Sequence, residues 1–120
     1  MNDARLLKVH FKKIMSISLR YFNVYGERAP SKGPYAPVTG IFFRQKSNKE
    51  PMTVVGTGER RRDYIHVSDL SKVHYQFAKI IEKKKLKLII NCGYGRGYSV
   101  LEVVNRFNYF IRKKITFNFK

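Results

Sequence analysis

Met15-Ser-Ile-Ser-Leu-Arg-Tyr-Phe22 is the stretch that decides the fold class. Met15, Ile17, Leu19 and Tyr21 alternate with Ser16, Ser18 and Arg20, the two-residue period of a strand with one apolar face. Residues 4–14 before it are helix-like, although Leu6, Leu7, Val9, Phe11 and Ile14 form no clean stripe. Residues 26–37 after it hold three prolines and two glycines, which makes them a loop. Val38, Ile41, Phe42 and Gln45 then predict a short helix, ended by the polar run 46–50 and Pro51.

Further along, residues 52–55 read as a short strand closed by Gly56-Thr57-Gly58, and 64–67 as another extended piece. Ser68 sits where a helix N-cap belongs. Leu70, Val73, Phe77, Ile80 and Ile81 fall on one helical face, with Lys72, Lys79 and Glu82 elsewhere. Residues 86–91 form a buried-type strand. Ser99-Val-Leu-Glu102 is a capping box, in which hydroxyl and carboxylate satisfy opposite free N–H groups of the first turn. Val100, Val103, Val104, Phe107 and Ile111 supply the apolar face of the helix it opens. Residues 115–120 start another amphipathic strand. This alternation argues α/β. The strands are few for a complete sheet and the first is central in character, so residues 1–120 read as one incomplete unit, cut at both ends. Met15, Ile17, Leu19 and Val24 are then expected to lack neighbours and form an exposed apolar patch.

Composition narrows the classes. A hydrophobic fraction of 43% with 14% aromatics suffices for a core. No stretch approaches the ~20 apolar residues that span a bilayer, and the first residues lack a signal peptide's apolar segment; a cytoplasmic protein is the expectation. Cys92 is the sole cysteine, which excludes an intrachain disulfide and reads as a buried thiol at a strand end. His10, His66 and His74 show no ligand spacing, so no metal is expected. The net charge of +17 would attract nucleic acid or an anionic membrane surface. Its lysines and arginines are spread through nearly every segment, and no zinc-finger, basic-zipper or RNA-binding signature accompanies them. A basic nucleic-acid or membrane-surface binder is therefore the rival class rather than the first reading.

Three blocks carry a resemblance: Ser18-Leu-Arg-Tyr-Phe-Asn-Val-Tyr-Gly26, Val55-Gly-Thr-Gly-Glu-Arg-Arg-Arg-Asp-Tyr-Ile-His-Val-Ser-Asp-Leu70, and Asn91-Cys-Gly-Tyr-Gly-Arg-Gly-Tyr-Ser-Val-Leu-Glu-Val-Val104. In this order and spacing they resemble the extended short-chain dehydrogenase/reductases, specifically the nucleotide-sugar epimerases and dehydratases. The second and third blocks look most like UDP-glucose 4-epimerases, whereas Gly33-Pro-Tyr-Ala-Pro-Val-Thr-Gly-Ile-Phe-Phe43 looks more like broader bacterial sugar-nucleotide epimerases. The resemblance implies a partial Rossmann-like fold: the C-terminal strands of the NAD-binding sheet plus the small substrate-binding region. It implies NAD as cofactor, C4 inversion of a nucleoside-diphosphate sugar by transient oxidation, and a possible homodimer. A nucleotide-sugar 4,6-dehydratase is the nearest enzyme rival.

Residue by residue, the resemblance implies that Asn23 hydrogen-bonds the sugar-phosphate part of the substrate. Tyr21 and Phe22 would lie by the nicotinamide. Ala36, Pro37 and Val38 would pass over the nucleotide, and Thr53, Val54 and Val55 would form the strand edge beside the base. Arg62 would pair with the diphosphate, where a guanidinium fork suits two oxygens. Arg60 and Arg61 are left as surface charge, Asp63 as a structural acid, and His66 and His74 as packing residues. Gly93-Tyr-Gly-Arg-Gly97 has the wrong spacing for a dinucleotide turn and would only lead the chain into the helix capped by Ser99. The family's catalytic Tyr-x-x-x-Lys pair lies on the helix before the Leu-Arg-Tyr-Phe-Asn strand. No tyrosine here has a lysine four residues on in that context, so no catalytic residue is assigned and the chain alone is expected to be inactive.

Overall fold

The computed structural model describes residues 16–83, 87–111 and 117–119. The helix-like stretch 4–14, with Met15, lies outside them. Strand β1 (Ser16–Tyr21) pairs in parallel with β5 (Lys87–Cys92), Leu19 opposite Ile90 and Tyr21 opposite Cys92. Strand β2 (Asn23–Tyr25) pairs in parallel with β4 (Arg61–His66), and β4 pairs antiparallel with β6 (Gly97–Ser99). Strand β3 (Met52–Val54) pairs in parallel with β7 (Phe117–Phe119). Three helices alternate with these: α1 (Val38–Ser47), α2 (Val67–Lys83) and α3 (Val100–Ile111). Parallel pairs joined through helices are an α/β arrangement.

Two apolar clusters organise the described residues. Ile65, Leu70 and Cys92 are buried together, with Leu19, Val24 and Val73 packed against them. Leu19 and Val24 therefore have the neighbours that were expected to be missing, because Ile65 of β4, Cys92 of β5, and Leu70 and Val73 of α2 pack against them within this chain. Phe42, Met52, Val54 and Val104 form the second cluster, between α1, β3 and α3. Strand β4 joins the two: Ile65 enters the first, and pairing with β6 leads into α3 of the second.

Several boundaries move for local reasons. The strand expected over 64–67 runs from Arg61 to His66, and Val67 already opens α2. The cap is not the Ser68 hydroxyl: the His66 ring turns back, and its Nδ1 accepts the Ser68 N–H at 3.3 Å and lies 2.7 Å from Ser68 Oγ. Val55 falls outside β3 and is 78% exposed.

The capping box at α3 forms as the spacing requires. Ser99 N–H donates to Glu102 Oε2 at 2.7 Å, and Glu102 N–H donates to Ser99 Oγ at 3.1 Å. The β4–β6 register sets Arg61 across from Ser99, where its guanidinium reaches Glu102 Oε2 at 3.0 Å and the Gly97 carbonyl at 2.8 Å. Arg61 is thus a tie between β4 and α3, not free surface charge. The Ser99 amide, and then Arg61, hold the Glu102 carboxyl below its ordinary value.

Between β5 and β6 the chain turns through Gly93-Tyr-Gly-Arg-Gly97, and Asp63 fastens this turn. Its Oδ1 accepts the Tyr94 N–H at 3.0 Å and its Oδ2 the Gly95 N–H at 2.7 Å, the structural role expected of it. A Cβ at residue 93 would lie 2.3 Å from the Phe22 ring and 2.5 Å from Asp63 Oδ2, so only hydrogen fits while Asp63 holds both amides.

Two expectations follow. Gly93→Ala must displace Phe22 or the Asp63 clamp and should cost about 1–3 kcal/mol, as overpacking does; an unchanged urea midpoint would contradict the fit. For the cap, Ser99→Ala should cost about 1 kcal/mol. Glu102 has a depressed folded pKa, so its contribution is present above the unfolded value near 4.5 and is lost as pH falls through the folded one. Glu102→Gln should then lower the midpoint at pH 7, with the gap to the parent narrowing as pH falls below 4.5; a gap that stays constant on acidification would refute the linkage.

Candidate functional site

Parallel strands β1 and β5 end together at Tyr21 and Cys92, and the crevice beyond the carboxyl ends of parallel strands is where α/β sheets take ligands. The chain crosses directly from there into β2. The Phe22 amide still donates to the Cys92 carbonyl at 3.1 Å, and Asn23 stands opposite Tyr64 at the start of β2. Asn23 Nδ2 donates to the Asp63 carbonyl at 2.9 Å, which fixes its side chain against β4. Arg62 lies one residue before that carbonyl on the same strand. The structure therefore gathers Phe22, Asn23 and Arg62 at one end of the β2–β4 ladder.

The Arg62 guanidinium is exposed, and its described hydrogen bond is Nη1–H to the neighbouring Arg61 carbonyl at 3.1 Å. Among the described residues no carboxylate lies within ion-pair distance of it. Burial raises the Tyr64 hydroxyl above its ordinary value, against the lowering pull of Arg62. Arg62 thus carries a charge available to an anion.

The other positions fall elsewhere. Tyr21 does not point freely outward: its hydroxyl donates to His74 Nε2 at 2.7 Å, while His74 Nδ1–H donates to the Leu70 carbonyl at 2.8 Å. His74 is a bridge between β1 and α2 rather than simple packing. Ala36, Pro37 and Val38 enter α1, whose N-cap position is Pro37 with no side-chain cap. On β3, Thr53 is clamped by buried Gln45, with Nε2 donating to Thr53 Oγ1 at 2.8 Å and Oε1 accepting the Thr53 N–H at 3.1 Å. Val54 is wholly buried in the second cluster, so its side chain is not available to a ligand. Val55, the outward neighbour, presents an aliphatic surface where stacking would need an aromatic.

Neither of two possible misreadings of the motifs survives the geometry. The glycine turn 93–97 offers no phosphate cradle, because Asp63 already takes the Tyr94 and Gly95 amides. Tyr75 and Lys79 share the Tyr-x-x-x-Lys spacing on α2, yet Tyr75 is well exposed and the ammonium sits 4.3 Å above its ring centre, not beside the hydroxyl. No group of three or more metal-ligating side chains occurs among the described residues.

A second feature was not anticipated. A cleft of about 1130 Å³ opens between α1, α3 and the Tyr64–His66 face of β4, and none of the residues assigned to substrate or cofactor lines it. Arg28, Arg44 and Arg106 border it, dispersed in sequence and brought together by packing; no motif marks them. At its β4 end, the Tyr94 hydroxyl donates to Asp69, which also holds Lys72 at 2.9 Å. Those bonds, Tyr94's first, keep the Asp69 carboxyl below its usual value.

With this geometry established, known proteins supply the context. Residues 7–93 match the family model described as NAD dependent epimerase/dehydratase family. A UDP-glucose 4-epimerase of Azospirillum brasilense is 38% identical over 103 residues, covering 76% of this chain and 30% of that protein. A dTDP-4-dehydro-6-deoxyglucose reductase of Escherichia coli is 32% identical over 105 residues, covering 88% of this chain and 32% of its own length. The chain thus spans about a third of the length of these relatives. Among solved structures, the UDP-glucose 4-epimerase of Thermotoga maritima with UDP-glucose superposes with a TM-score of 0.84 at 26% identity, over 98% of this chain and 37% of the other. The UDP-N-acetylglucosamine 4-epimerase of Methanobrevibacter ruminantium M1, in complex with UDP-N-acetylmuramic acid, gives 0.88 at 25% identity, again over 98% and 37%. The α/β architecture is that of the Rossmann-like epimerases, and the chain belongs to the NAD dependent epimerase/dehydratase family.

Proposed function

We propose that this chain supplies the nucleotide-sugar side of an NAD-dependent epimerase that inverts C4 of a UDP-sugar. The observation that carries this reading is the uncommitted Arg62 guanidinium beside an Asn23 fixed on the Asp63 carbonyl, at the carboxyl end of the parallel strands. Two vicinal phosphate groups present the oxygens that a planar guanidinium fork accommodates, and the Asn23 amide has a second N–H and a carbonyl for a sugar or phosphate oxygen. UDP is the nucleotide favoured because the relative with 38% identity is named a UDP-glucose 4-epimerase and solved neighbours hold UDP-sugars.

In such an enzyme NAD accepts and returns the hydride. The described residues form no dinucleotide cradle, since the glycine turn is closed by Asp63, so no step is assigned to that cofactor on these residues. Their work is to bind the diphosphate and orient the sugar, which sets how the reacting carbon is held.

Arg62→Ala should weaken UDP binding by roughly ten- to a hundredfold, the equivalent of a charge-assisted bond of about 1.5–3 kcal/mol. Uridine, which lacks the diphosphate, should bind the two forms alike. Arg60→Ala removes the same formal charge nearby and controls for general electrostatics. Calorimetric titration of the three proteins with UDP and uridine decides it: equal losses for Arg60 and Arg62 that fade with salt would reduce the run to a solvated basic face.

A further inference from the structure

Arg62 is a single guanidinium, and the anion proposed for it is a diphosphate. In a nucleotide sugar each phosphate is a diester bearing one negative charge, so Arg62 leaves one of the two unmatched. Strand β6 and the glycine turn before it bring another cation to the same place. The β4–β6 register sets Arg62 directly opposite Tyr98, and side chains so placed in an antiparallel pair share a face with Cβ atoms about 4.5–5.5 Å apart. Asp63, the residue after Arg62, accepts the Gly95 N–H at 2.7 Å, one residue before Arg96. On the other side of Arg96, a Cβ at Gly97 would lie 3.9 Å from the Arg62 backbone nitrogen. Arg96 therefore rises from backbone that is held against β4, at Arg62 and Asp63, both before and after it.

Its side chain is placed as well. The Arg96 guanidinium lies over the Tyr98 ring, 5.0 Å from its centre, and Tyr98 is the residue opposite Arg62. Such a contact holds a cation in position without neutralising it. Arg96 is exposed, and no carboxylate among the described residues lies within ion-pair distance of it. Glu102 shares the shallow hollow beside Tyr98, but its oxygens are taken by the Ser99 amide and by Arg61. Asp63 likewise spends both of its oxygens on the turn. We propose that Arg96, carried on the Tyr98 ring, is a second diphosphate-binding residue that closes with Arg62 on the two phosphates of one ligand. This role rests on the nucleotide-sugar reading of Arg62. The turn stays scaffold, its amides spent on Asp63, and only its arginine reaches the anion.

The test is calorimetric titration of the full chain and its variants with UDP-glucose and uridine. Arg96→Ala should weaken UDP-glucose binding roughly tenfold, the size of one charge-assisted contact, and leave uridine unchanged. Tyr98→Leu, which removes the ring under Arg96, should also weaken UDP-glucose, yet cost nothing further in the Arg96→Ala background. Tyr98→Phe keeps a ring and should bind as the parent does. Arg60→Ala removes a nearby charge and should leave the affinity unchanged. If Arg62→Ala loses UDP-glucose and Arg96→Ala does not, the role of Arg96 falls while the nucleotide-sugar reading stands. If neither variant loses affinity, or the parent does not bind UDP-glucose, both fall. Equal losses for Arg60→Ala and Arg96→Ala would overturn the role of Arg96 by reducing it to overall charge. A matching loss of uridine would overturn it by placing the effect in the fold of the turn. So would a Tyr98→Leu cost that is the same with and without Arg96.

Discussion

Asp63 is the residue on which the rest of this structure leans. Its backbone carbonyl receives Asn23, its carboxylate receives the amides of Tyr94 and Gly95, and the two residues before it, Arg61 and Arg62, are arginines with separate tasks. A carboxylate accepting two N–H groups is a strong, directional anchor, and it ties the start of β2 to the turn between β5 and β6. That turn could not carry any residue but glycine at position 93 without pushing on Phe22 or on the anchor itself. The same bonds also fix what the turn cannot do. Amides that satisfy an internal carboxylate are not free for a pyrophosphate, so a glycine-rich segment that looks like ligand equipment is scaffold.

How much of this was legible depended on whether the deciding contact was local. The Ser99–Glu102 box is three residues long and forms as its spacing dictates. The stripe beginning at Leu70 forms a helix that packs at Leu70 and Val73 while Ile80 stays exposed, and the alternation through Ile17 and Leu19 gives the strand. His66 defeats the simple cap rule because the helix opens already at Val67, and the His66 ring accepts a first-turn amide, that of Ser68. Arg61 was unreadable for a different reason: its partner Glu102 is far along the chain, and only the β4–β6 register sets the two side by side. Leu19 and Val24 failed in the same way, since their neighbours Ile65 and Cys92 come from strands that the sequence orders but does not place. Asn23 and Arg62 were singled out by likeness to a family, and the structure fixes Asn23 on the Asp63 carbonyl, next to Arg62 along β4. Val54 shows the limit of such transfer, its side chain being core.

The positive charge of the chain has an anatomy. Of its eight acidic residues, Asp63 holds backbone amides, Asp69 is shared by Tyr94 and Lys72, and Glu102 serves both its own helix and Arg61. Acids spent on internal order cannot offset distant cations. The excess therefore shows at Arg62, which has no acidic partner among the described residues.

Strand β4 explains how one short element serves both ends. Its residues alternate across the sheet with period two. Arg61, Asp63 and Ile65 face inward tasks: an ion pair to α3, the clamp on the glycine turn, and burial in the first core cluster. Arg62, Tyr64 and His66 take the other face, where Arg62 carries uncommitted charge and Tyr64 and His66 form the wall of the cleft. One parity is spent on internal ties, while the other holds the buried Tyr64 and the exposed Arg62. A slip of one residue in the β2–β4 or β4–β6 pairing would exchange them, burying the Arg62 charge and exposing Ile65. The clamp at Asp63 and the tie at Arg61 act on both neighbouring strands at once, and so hold the register on which that division of labour rests.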